Sequence, residues 1–138
     1  MASRDLGPVT IDGNDPQRNH LLIGEDADEW VIRPYHHSQG RQLHVVSRET
    51  VRDRLNGDWY ARPLIEKDME VRVNVFNGKV TAVAKKTPPE NPQQVAWNHA
   101  RGCTFVNVRW DEWPIEACDV AVKAHAESGL NYAAVDLM

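Results

Sequence analysis

The sequence predicts an α+β protein in which antiparallel sheets are covered by packing helices. The first observation is a β-hairpin over residues 70–85, in which alternating apolar residues flank Asn77-Gly78, a pair that suits a two-residue turn. The second is a helix that begins near Pro114, continues to about Ser128 and is ended by Gly129. With 138 residues, of which 41% are hydrophobic, the chain has the size of one compact domain.

The first third of the chain predicts an irregular arm followed by a hairpin. Residues 1 to about 29 are rich in Gly, Pro, Asn and Asp, and only the run His20–Ile23 has the character of a buried segment. We therefore expect an irregular arm with one short strand. Residues 30–34 and 43–46 favour two strands, and the polar residues 36–41 between them favour a loop.

A short helix and a further strand follow this hairpin. Ser47 is a good N-cap for a helix over roughly residues 48–55, which Asn56-Gly57 ends. Trp59–Ile65 is predicted to return as a strand. Pro63 confines that strand to the edge of a sheet or to a bulge, because proline lacks the N–H that a central strand donates.

The length of the turn in the second hairpin sets the pairing of its strands. With two residues in the turn, Glu70 is predicted to face Lys85. One face of the hairpin is then apolar, and the other carries whatever chemistry the hairpin supports. The polar face collects Glu70, Arg72, Asn74, Thr81 and Lys85.

The last third of the sequence contains a loop, two strands and the helix already described. Residues 87–94 form the predicted loop, and Gly102 precedes a predicted strand over Cys103–Val108. Leu130–Leu137 is predicted to be a final strand that is buried except at Asp136. We interpret the helix as one that packs on a sheet. Its apolar side comprises Ile115, Cys118, Ala121, Val122 and His125.

Charge, cysteine content and the N-terminal residues argue against several functions. A net charge of -4 and a pI near 5.8 are unlike the basic surfaces of most nucleic-acid-binding proteins, so we expect no nucleic-acid partner. Cys103 and Cys118 lack the spacing of a zinc site or a disulfide framework. The sequence shows no signal peptide and no apolar run of about 20 residues, so we expect a cytoplasmic protein that has no membrane partner.

Most of the motifs have an ordinary interpretation when each is taken alone. His36-His37 is typical of a solvated loop, because adjacent side chains in an extended segment point to opposite faces and no third metal ligand is evident. The loop with Gly40 has a glycine of the kind that covers phosphates, but it lacks the Walker and dinucleotide-binding patterns. A cross-strand ion-pair ladder is the simpler interpretation of Glu70, Arg72 and Lys85.

Asp136 is harder to explain as an ordinary surface residue. It lies near the end of an otherwise apolar predicted strand. An acid in that position costs free energy unless it is paired, binds a cation or reaches solvent at the end of the strand. The sequence leaves these three interpretations open.

The order of several short segments carries more information than any one of them. In chain order they are Val31–Pro34, His37–Arg41, Leu43–Val46, Ile65–Val80, Lys85-Lys86, Trp97–Gly102 and Gly129–Leu137. This order resembles the second half of the ATP-grasp fold, closest to the glutathione-synthetase and RimK-like ligases and to related proteins of bacteriophages. The resemblance implies an incomplete ATP-grasp domain over residues 30–138 after an arm of residues 1–29. Residues 30–65 would form the phosphate-loop strands and the adenine hinge, and residues 66–138 the second subdomain.

The resemblance implies that the first part of this domain contacts ATP. Arg33 takes the place of a lysine that contacts the nucleotide phosphates, and arginine keeps the charge with a different geometry. The glycine-containing loop at Gly40 would cover the phosphates. The adenine would be lined by four hinge residues, with hinge backbone groups reading its edge. These four are Arg62, Pro63, Leu64 and Ile65.

The second part of the domain is similar to the region of the family that contacts the ribose and the transferring phosphate. Glu70 would meet the ribose or a neighbouring substrate, and Arg72 would meet the transferring phosphate. The family also has a basic residue beyond the hairpin. The predicted register favours Lys85 for this role, whereas the resemblance favours Lys86.

These residue types suit the chemistry that the resemblance implies. Such ligases use ATP and magnesium to activate a carboxylate as an acyl-phosphate, which an amine then attacks, so positive charge must neutralise the transferring phosphoryl group. Asn98 would hold phosphate or acyl-phosphate, and Asp136 would be a magnesium ligand. The expected partners are ATP and either a small carboxylate and amine or a peptide.

Two departures from the family pattern predict an incomplete site. The family has a second metal-binding segment, Glu-x-Asn, after the strand that carries Asp136, whereas this sequence ends at Met138. The family also has a preceding domain that completes the substrate site. We therefore expect a second chain or a homo-oligomer to complete the site, in the host cytoplasm if the protein is phage-encoded. The alternatives are a non-catalytic, degenerate module that binds nucleotide or protein, and an unrelated small α+β binding domain.

Overall fold

The chain folds into two compact units that meet in sequence at residues 66 and 67. Each unit has its own four-stranded antiparallel sheet and its own hydrophobic core. No helix in the described part of the chain is both long enough and apolar enough to cross a membrane. The structure, a computed structural model, describes residues 9–23, 25–37, 41–91 and 95–138.

The first unit has its strands in the order β1-β4-β2-β3, with helices α1 and α2 against one face. Its elements are β1 (Ile11–Asp12), α1 (Arg18–Ile23), β2 (Glu29–Pro34), β3 (His44–Ser47), α2 (Arg48–Arg54) and β4 (Trp59–Pro63). Its core forms because alternate strand residues and one side of each helix are apolar. The core residues are Ile11, Leu22, Trp30, Ile32, Val51, Leu55 and Ala61.

The hairpin and the helix cap predicted for this unit are confirmed. Val31 of β2 lies opposite Val45 of β3, and the two strands are antiparallel. The side chain of Ser47 accepts a hydrogen bond of 3.3 Å from the backbone N–H of Thr50, which satisfies a free donor in the first turn of α2.

Two expectations for this unit were wrong. β4 is not an edge strand, because β1 and β2 pair with its two sides. Proline is tolerated at its end because the two residues of β1 pair only with Tyr60 and Ala61, so that Pro63 lies beyond that pairing. The arm expected to be irregular apart from one strand also contains the helix α1, which buries Leu22 in the core.

The second unit has the strand order β7-β6-β5-β8, and helix α3 packs on one face of the sheet. Its strands and main helix are β5 (Glu70–Phe76), β6 (Lys79–Lys86), β7 (Phe105–Asn107), α3 (Ile115–Ser128) and β8 (Tyr132–Leu137). Short 3-10 turns lie at His99–Arg101 and Trp110–Glu112. The core residues are Val71, Val73, Val75, Val83 and Ala121.

The second hairpin has the predicted turn but a different register. Asn77 and Gly78 have φ angles of 46° and 78°, as a type I′ turn requires. A β-bulge then follows, because Val80 and Ala82 pair with consecutive residues of β5 and leave Thr81 as the extra residue. Glu70 therefore lies opposite Lys86, and the prediction that it faces Lys85 was wrong.

The burial expected near the C-terminus also differs from the structure. β8 is an edge strand whose residues alternate between exposed and half-buried, so it is not buried apart from one acid. Ile115, at the start of α3, is 76% exposed, whereas Ala121 and His125 on the same helix are buried as expected. The strand predicted over Cys103–Val108 is shorter and comprises only β7.

Candidate functional site

Four charged residues meet on the face of the second sheet that is opposite α3. Glu70 and Arg72 lie on β5 at alternate positions, Lys86 ends β6, and Asp136 lies on β8. Cross-strand pairing places them together, because Glu70 is opposite Lys86 and Arg72 is opposite Asp136. We call these four residues the charged cluster.

The cluster is a continuous network of ion pairs. Arg72 donates two parallel hydrogen bonds to Asp136, from Nε to Oδ1 at 2.7 Å and from Nη2 to Oδ2 at 2.9 Å. The Nζ atom of Lys86 donates to Oδ2 of Asp136 at 2.9 Å and also to Oε1 of Glu70. Lys67 adds a further ion pair with Oε2 of Glu70 at 2.5 Å. Each carboxylate is therefore shared by two cations.

Burial divides the cluster into a closed part and an open part. The side chains of Lys86 and Glu70 are 5% and 9% exposed, whereas those of Arg72 and Asp136 are 38% and 40% exposed. A ligand from solvent can therefore reach Arg72 and Asp136 first. The buried pair is positioned to hold the open pair in place and to set its charge.

The charges within the cluster shift the pKa values of its open pair. Burial raises the pKa of Asp136, but hydrogen bonds from Arg72 and Lys86 and the charges of both cations outweigh it, so that this pKa lies below its ordinary value. The hydrogen bond to Asp136 raises the pKa of Arg72 further. Both groups are therefore charged at neutral pH.

This shift predicts a pH dependence of stability. A carboxyl whose pKa is lower in the folded state stabilises the fold above its unfolded pKa, about 3.9 for Asp, and the stabilisation is lost as the pH falls through the folded value. We expect Asp136→Asn to be less stable than wild type at pH 7, and this difference to disappear in acid. Urea denaturation at a series of pH values measures it.

The matched control for this series is Asp111→Asn, because the side chain of Asp111 is 41% exposed, like that of Asp136 at 40%, but its partner at 2.8 Å, Arg109, is much more exposed than Arg72. The side chain of Arg109 is 73% exposed, so we expect that pair to contribute little. Parallel pH profiles for Asp136→Asn and Asp111→Asn would show that the cluster does not stabilise the charged form of Asp136.

One aromatic residue beside the cluster was missed in the sequence. The ring of Phe105 on β7 lies 4.8 Å from the guanidinium carbon of Arg72 and 5.6 Å from Nζ of Lys86. Both distances permit cation–π attraction. The signal in the sequence was the position of Phe105 within a strand-like segment, but only the order of the strands reveals which cations it covers.

Two predicted site residues of this unit are not members of the network of ion pairs. Lys85 is exposed and lies opposite Val71, because the bulge gives its expected place to Lys86. Asn98 precedes the 3-10 turn, and its carbonyl accepts hydrogen bonds from the N–H groups of Arg101 at 3.1 Å and Cys103 at 3.2 Å. The backbone of Asn98 thus shapes the loop that enters β7.

The residues of this unit fit a magnesium ion only in part. Asp136 offers exposed carboxylate oxygens, which are the donors magnesium prefers, but Arg72 and Lys86 both bind them. The described residues contain no group of three or more His, Cys, Asp or Glu that is arranged to hold a metal. The donor set therefore suits a single protein ligand for an ion that is otherwise held by a phosphorylated ligand and water.

In the first unit, the predicted phosphate contact Arg33 lies beside Tyr60 on the sheet face away from the core. Its guanidinium carbon is 5.4 Å from the ring of Tyr60, and Arg62 approaches the same ring at 5.6 Å. The buried Nε atom of Arg33 has no hydrogen-bond partner within the described residues. Burial, together with the charge of Arg33, lowers the pKa of His37, which lies 3.1 Å from the hydroxyl of Tyr60.

The predicted hinge residues are placed by the pairing of β4. Arg62 donates a hydrogen bond of 2.8 Å to the hydroxyl of Thr10, and Pro63 lies opposite Trp30. The N–H of Leu64 donates to the carbonyl of Glu29 at 2.9 Å, so this N–H is already bonded within the sheet. Ile65 is 40% exposed. Gly40, predicted to cover phosphates, lies outside the described residues.

Comparisons with known proteins identify the fold. No family model and no curated protein matches the chain. Solved structures do match. The ATP-grasp ligase PsnB, complexed with a minimal precursor, has a TM-score of 0.65 at 18% identity, over 96% of this chain and 43% of that one. The macrocyclase MdnC from Microcystis aeruginosa MRC, bound with precursor peptide MdnA, has a TM-score of 0.59 at 19% identity, over 96% of this chain and 44% of that one.

A small-molecule ligase has a similar structure. The D-alanine–D-alanine ligase from Bacillus anthracis has a TM-score of 0.60 at 17% identity, over 95% of this chain and 46% of that one. This chain therefore has part of the ATP-grasp fold and spans less than half the length of the three structures described. The predicted α+β class with antiparallel sheets and the predicted family resemblance are confirmed at the level of the fold.

Proposed function

We propose that this chain is the nucleotide-binding module of an ATP-dependent carboxylate–amine ligase that acts through an acyl-phosphate. The observation that carries the proposal is the charged cluster on one sheet face of a chain that has part of the ATP-grasp fold. A phosphoryl group in transfer gains stability from fixed positive charge in a site that is already organised. Arg72 and Lys86 provide such charge, because Phe105 and two carboxylates hold them in place.

Each member of the cluster has a distinct part in this proposal. Arg72, the more exposed cation, contacts the transferring phosphate. The buried Lys86 contributes a second positive charge. Glu70 holds Lys86 and contacts the ribose or a neighbouring substrate. Asp136 provides a protein oxygen for magnesium, which neutralises phosphate charge when it is bound. Arg72 donates to Asp136 from Nε and Nη2 only, so the guanidinium can donate other N–H groups to a phosphate while Asp136 stays bound.

Residues of the remaining segments complete the nucleotide contacts. Arg33 contacts phosphate through its guanidinium group, and Gly40 covers the phosphates. Asn98 contacts phosphate or acyl-phosphate. The side chains of Arg62, Pro63, Leu64 and Ile65 contact adenine. The backbone N–H of Leu64 does not bind the edge of the adenine, because it already donates to the carbonyl of Glu29. Lys86, and not Lys85, is the basic residue beyond the hairpin that contributes charge at this site.

Calorimetry with ATP and magnesium tests the nucleotide site. We expect Arg72→Ala and Arg33→Ala each to weaken ATP binding by about 1.5 to 3 kcal/mol, the contribution of a hydrogen bond to a charged group. Lys79→Ala removes an exposed cation at the other end of the same sheet and is the matched control. Equal affinity for the wild type, Arg72→Ala and Arg33→Ala would remove both arginines from the site.

A non-catalytic nucleotide-binding or protein-interaction module is the second candidate function. The pairing of Asp136 with Arg72 and Lys86 favours this candidate, because the single carboxylate proposed for the metal is already bound by two cations. ATP-dependent phosphate release across a panel of amino acids and peptides separates the two candidates. We expect release to require segments that the matched structures have beyond the region of similarity, provided by a second, different chain.

A further inference from the structure

The face that bears the charged cluster continues toward the hairpin turn as a more apolar surface. Phe76 on β5 and Tyr132 on β8 lie opposite each other on this face and are 50% and 54% exposed. The hydroxyl of Tyr132 donates a hydrogen bond of 2.6 Å to Oδ1 of Asn74. Neither ring stacks on another aromatic ring of the described residues. Tyr132 is therefore fixed at its hydroxyl while both rings remain open to solvent.

The surface between the charged cluster and these two rings carries short side chains. Asn74 lies between Ala82 on β6 and Ala134 on β8, and both alanines are exposed. The amide nitrogen of Asn74 makes no hydrogen bond within the described part of the chain, so it is free to donate to a ligand. Asp136 and Tyr132 are four positions apart along β8. At about 3.3 Å per residue, the two ends of this face are about 13 Å apart.

Two directions away from the charged cluster are closed. Toward the start of β5, the ion pairs of Lys67, Glu70 and Lys86 fill the face. Toward β7, the ring of Phe105 covers Arg72 and Lys86. A ligand whose charged end reaches Arg72 can therefore extend along β5 and β8 toward Tyr132.

The charge of this end of the face selects an anion. Together with Lys67, the charged cluster contains three cations and two carboxylates, which leaves one positive charge in excess. A carboxylate satisfies that excess, and the two open rings at the other end suit an apolar side chain. A free amino acid is too short to reach both ends.

We propose that this face binds an extended peptide, with a carboxylate at Arg72 and an apolar side chain four residues away against Phe76 and Tyr132. The proposal deepens the proposed function, because it names a peptide as the substrate class of that same site. A peptide strand has the residue spacing of the sheet beneath it, so residues four apart present side chains to the same face at this distance. Asn74 donates its amide N–H to a peptide carbonyl between them.

Short synthetic peptides test this inference on the 138-residue chain without nucleotide. The probes are acetyl-Phe-Ser-Gly-Ser-Glu-amide, its reversed sequence, and matched peptides that have Ser in place of Phe or Phe directly beside Glu. We expect the peptide with Phe four residues from Glu, in one of the two directions, to bind about tenfold more tightly than both matched peptides. Partial burial of one aromatic side chain gives a factor of this size. Equal affinities would overturn the proposal.

Variants of the chain separate this inference from the proposed function. We expect Phe76→Ser and Tyr132→Ser to remove the tenfold preference and to leave ATP affinity unchanged, whereas Tyr132→Phe keeps the preference. Trp110→Ala, which removes an aromatic residue that is 79% exposed elsewhere in the unit, is the control. If Phe76→Ser and Tyr132→Ser kept the tenfold preference between peptides, the peptide site would be overturned even if ATP binds. If the chain did not bind ATP, only the proposed function would be overturned.

Discussion

We expect Glu70→Ala to lower the free energy of unfolding by about 3 kcal/mol, the usual loss when one partner of a buried ion pair is removed. The side chains of Glu70 and Lys86 are 9% and 5% exposed, so the substitution leaves the lysine charge buried with only Asp136 beside it. Lys67 loses its partner at the same time. Urea denaturation, followed by hydrogen exchange of the β5 and β6 amides, measures the loss in the unit concerned.

A double variant shows whether charge or packing is responsible for this loss. Glu70→Leu combined with Lys86→Met replaces both charges with apolar side chains of similar size, and we expect it to recover most of the stability. A loss below about 1 kcal/mol for Glu70→Ala would mean that the pair behaves as an exposed one.

We expect Gly13→Ala to destabilise the first unit by about 2 to 3 kcal/mol, the range for overpacking in a rigid site. A β-carbon at this position would lie 2.7 Å from the carbonyl carbon of Asn56 and 2.7 Å from the carbonyl oxygen of Trp59. These are backbone atoms, and the N–H of Gly13 already donates to the same oxygen of Trp59 at 2.8 Å. Neither side can give way without breaking the turn that leads into β4. Thermal unfolding of the variant measures the effect.

Gly57→Ala is the matched control for this prediction. Gly57 has a φ angle of +52°, which costs an alanine about 1 kcal/mol, but a β-carbon there meets no atom within 4 Å. We therefore expect Gly13→Ala to lower the melting temperature clearly more than Gly57→Ala. Equal losses would show that the close contact at Gly13 relaxes at little cost.

Features that depend on neighbouring residues were predictable from the sequence. The Asn77-Gly78 turn, the Ser47 cap and the helix ended by Gly129 all follow from local backbone preferences. These preferences act over a few residues and do not depend on the order of the strands. The class of the fold could be predicted because such elements were numerous.

Features that depend on the order of strands were not predictable. The apolar residues of β8 indicated a buried strand, but the strand lies at the edge of its sheet and one face is exposed. Pro63 indicated an edge strand, but a short neighbour that ends before it allowed β4 an inner place. Both errors arise because a residue pattern describes the faces of a strand and not its neighbours.

The candidate site was predictable where alternation alone decides the geometry. Glu70 and Arg72 share a face of one strand because they are two residues apart. The sequence left Asp136 open to pairing, to a bound cation or to solvent, and the structure pairs it with Arg72 and Lys86. Phe105 was missed, since its relation to the cations depends on β7 lying beside β6.

The β-bulge at Thr81 has a consequence for anyone who aligns this chain with other sequences. One extra residue in β6 moves every later position of that strand by one place relative to β5, as a single inserted nucleotide shifts a reading frame. A sequence from a homologue without the bulge must therefore be given a one-residue gap at Thr81. Without that gap, the residue equivalent to the buried Lys86 would be matched to the exposed Lys85, and a substitution designed from the alignment would alter the wrong lysine.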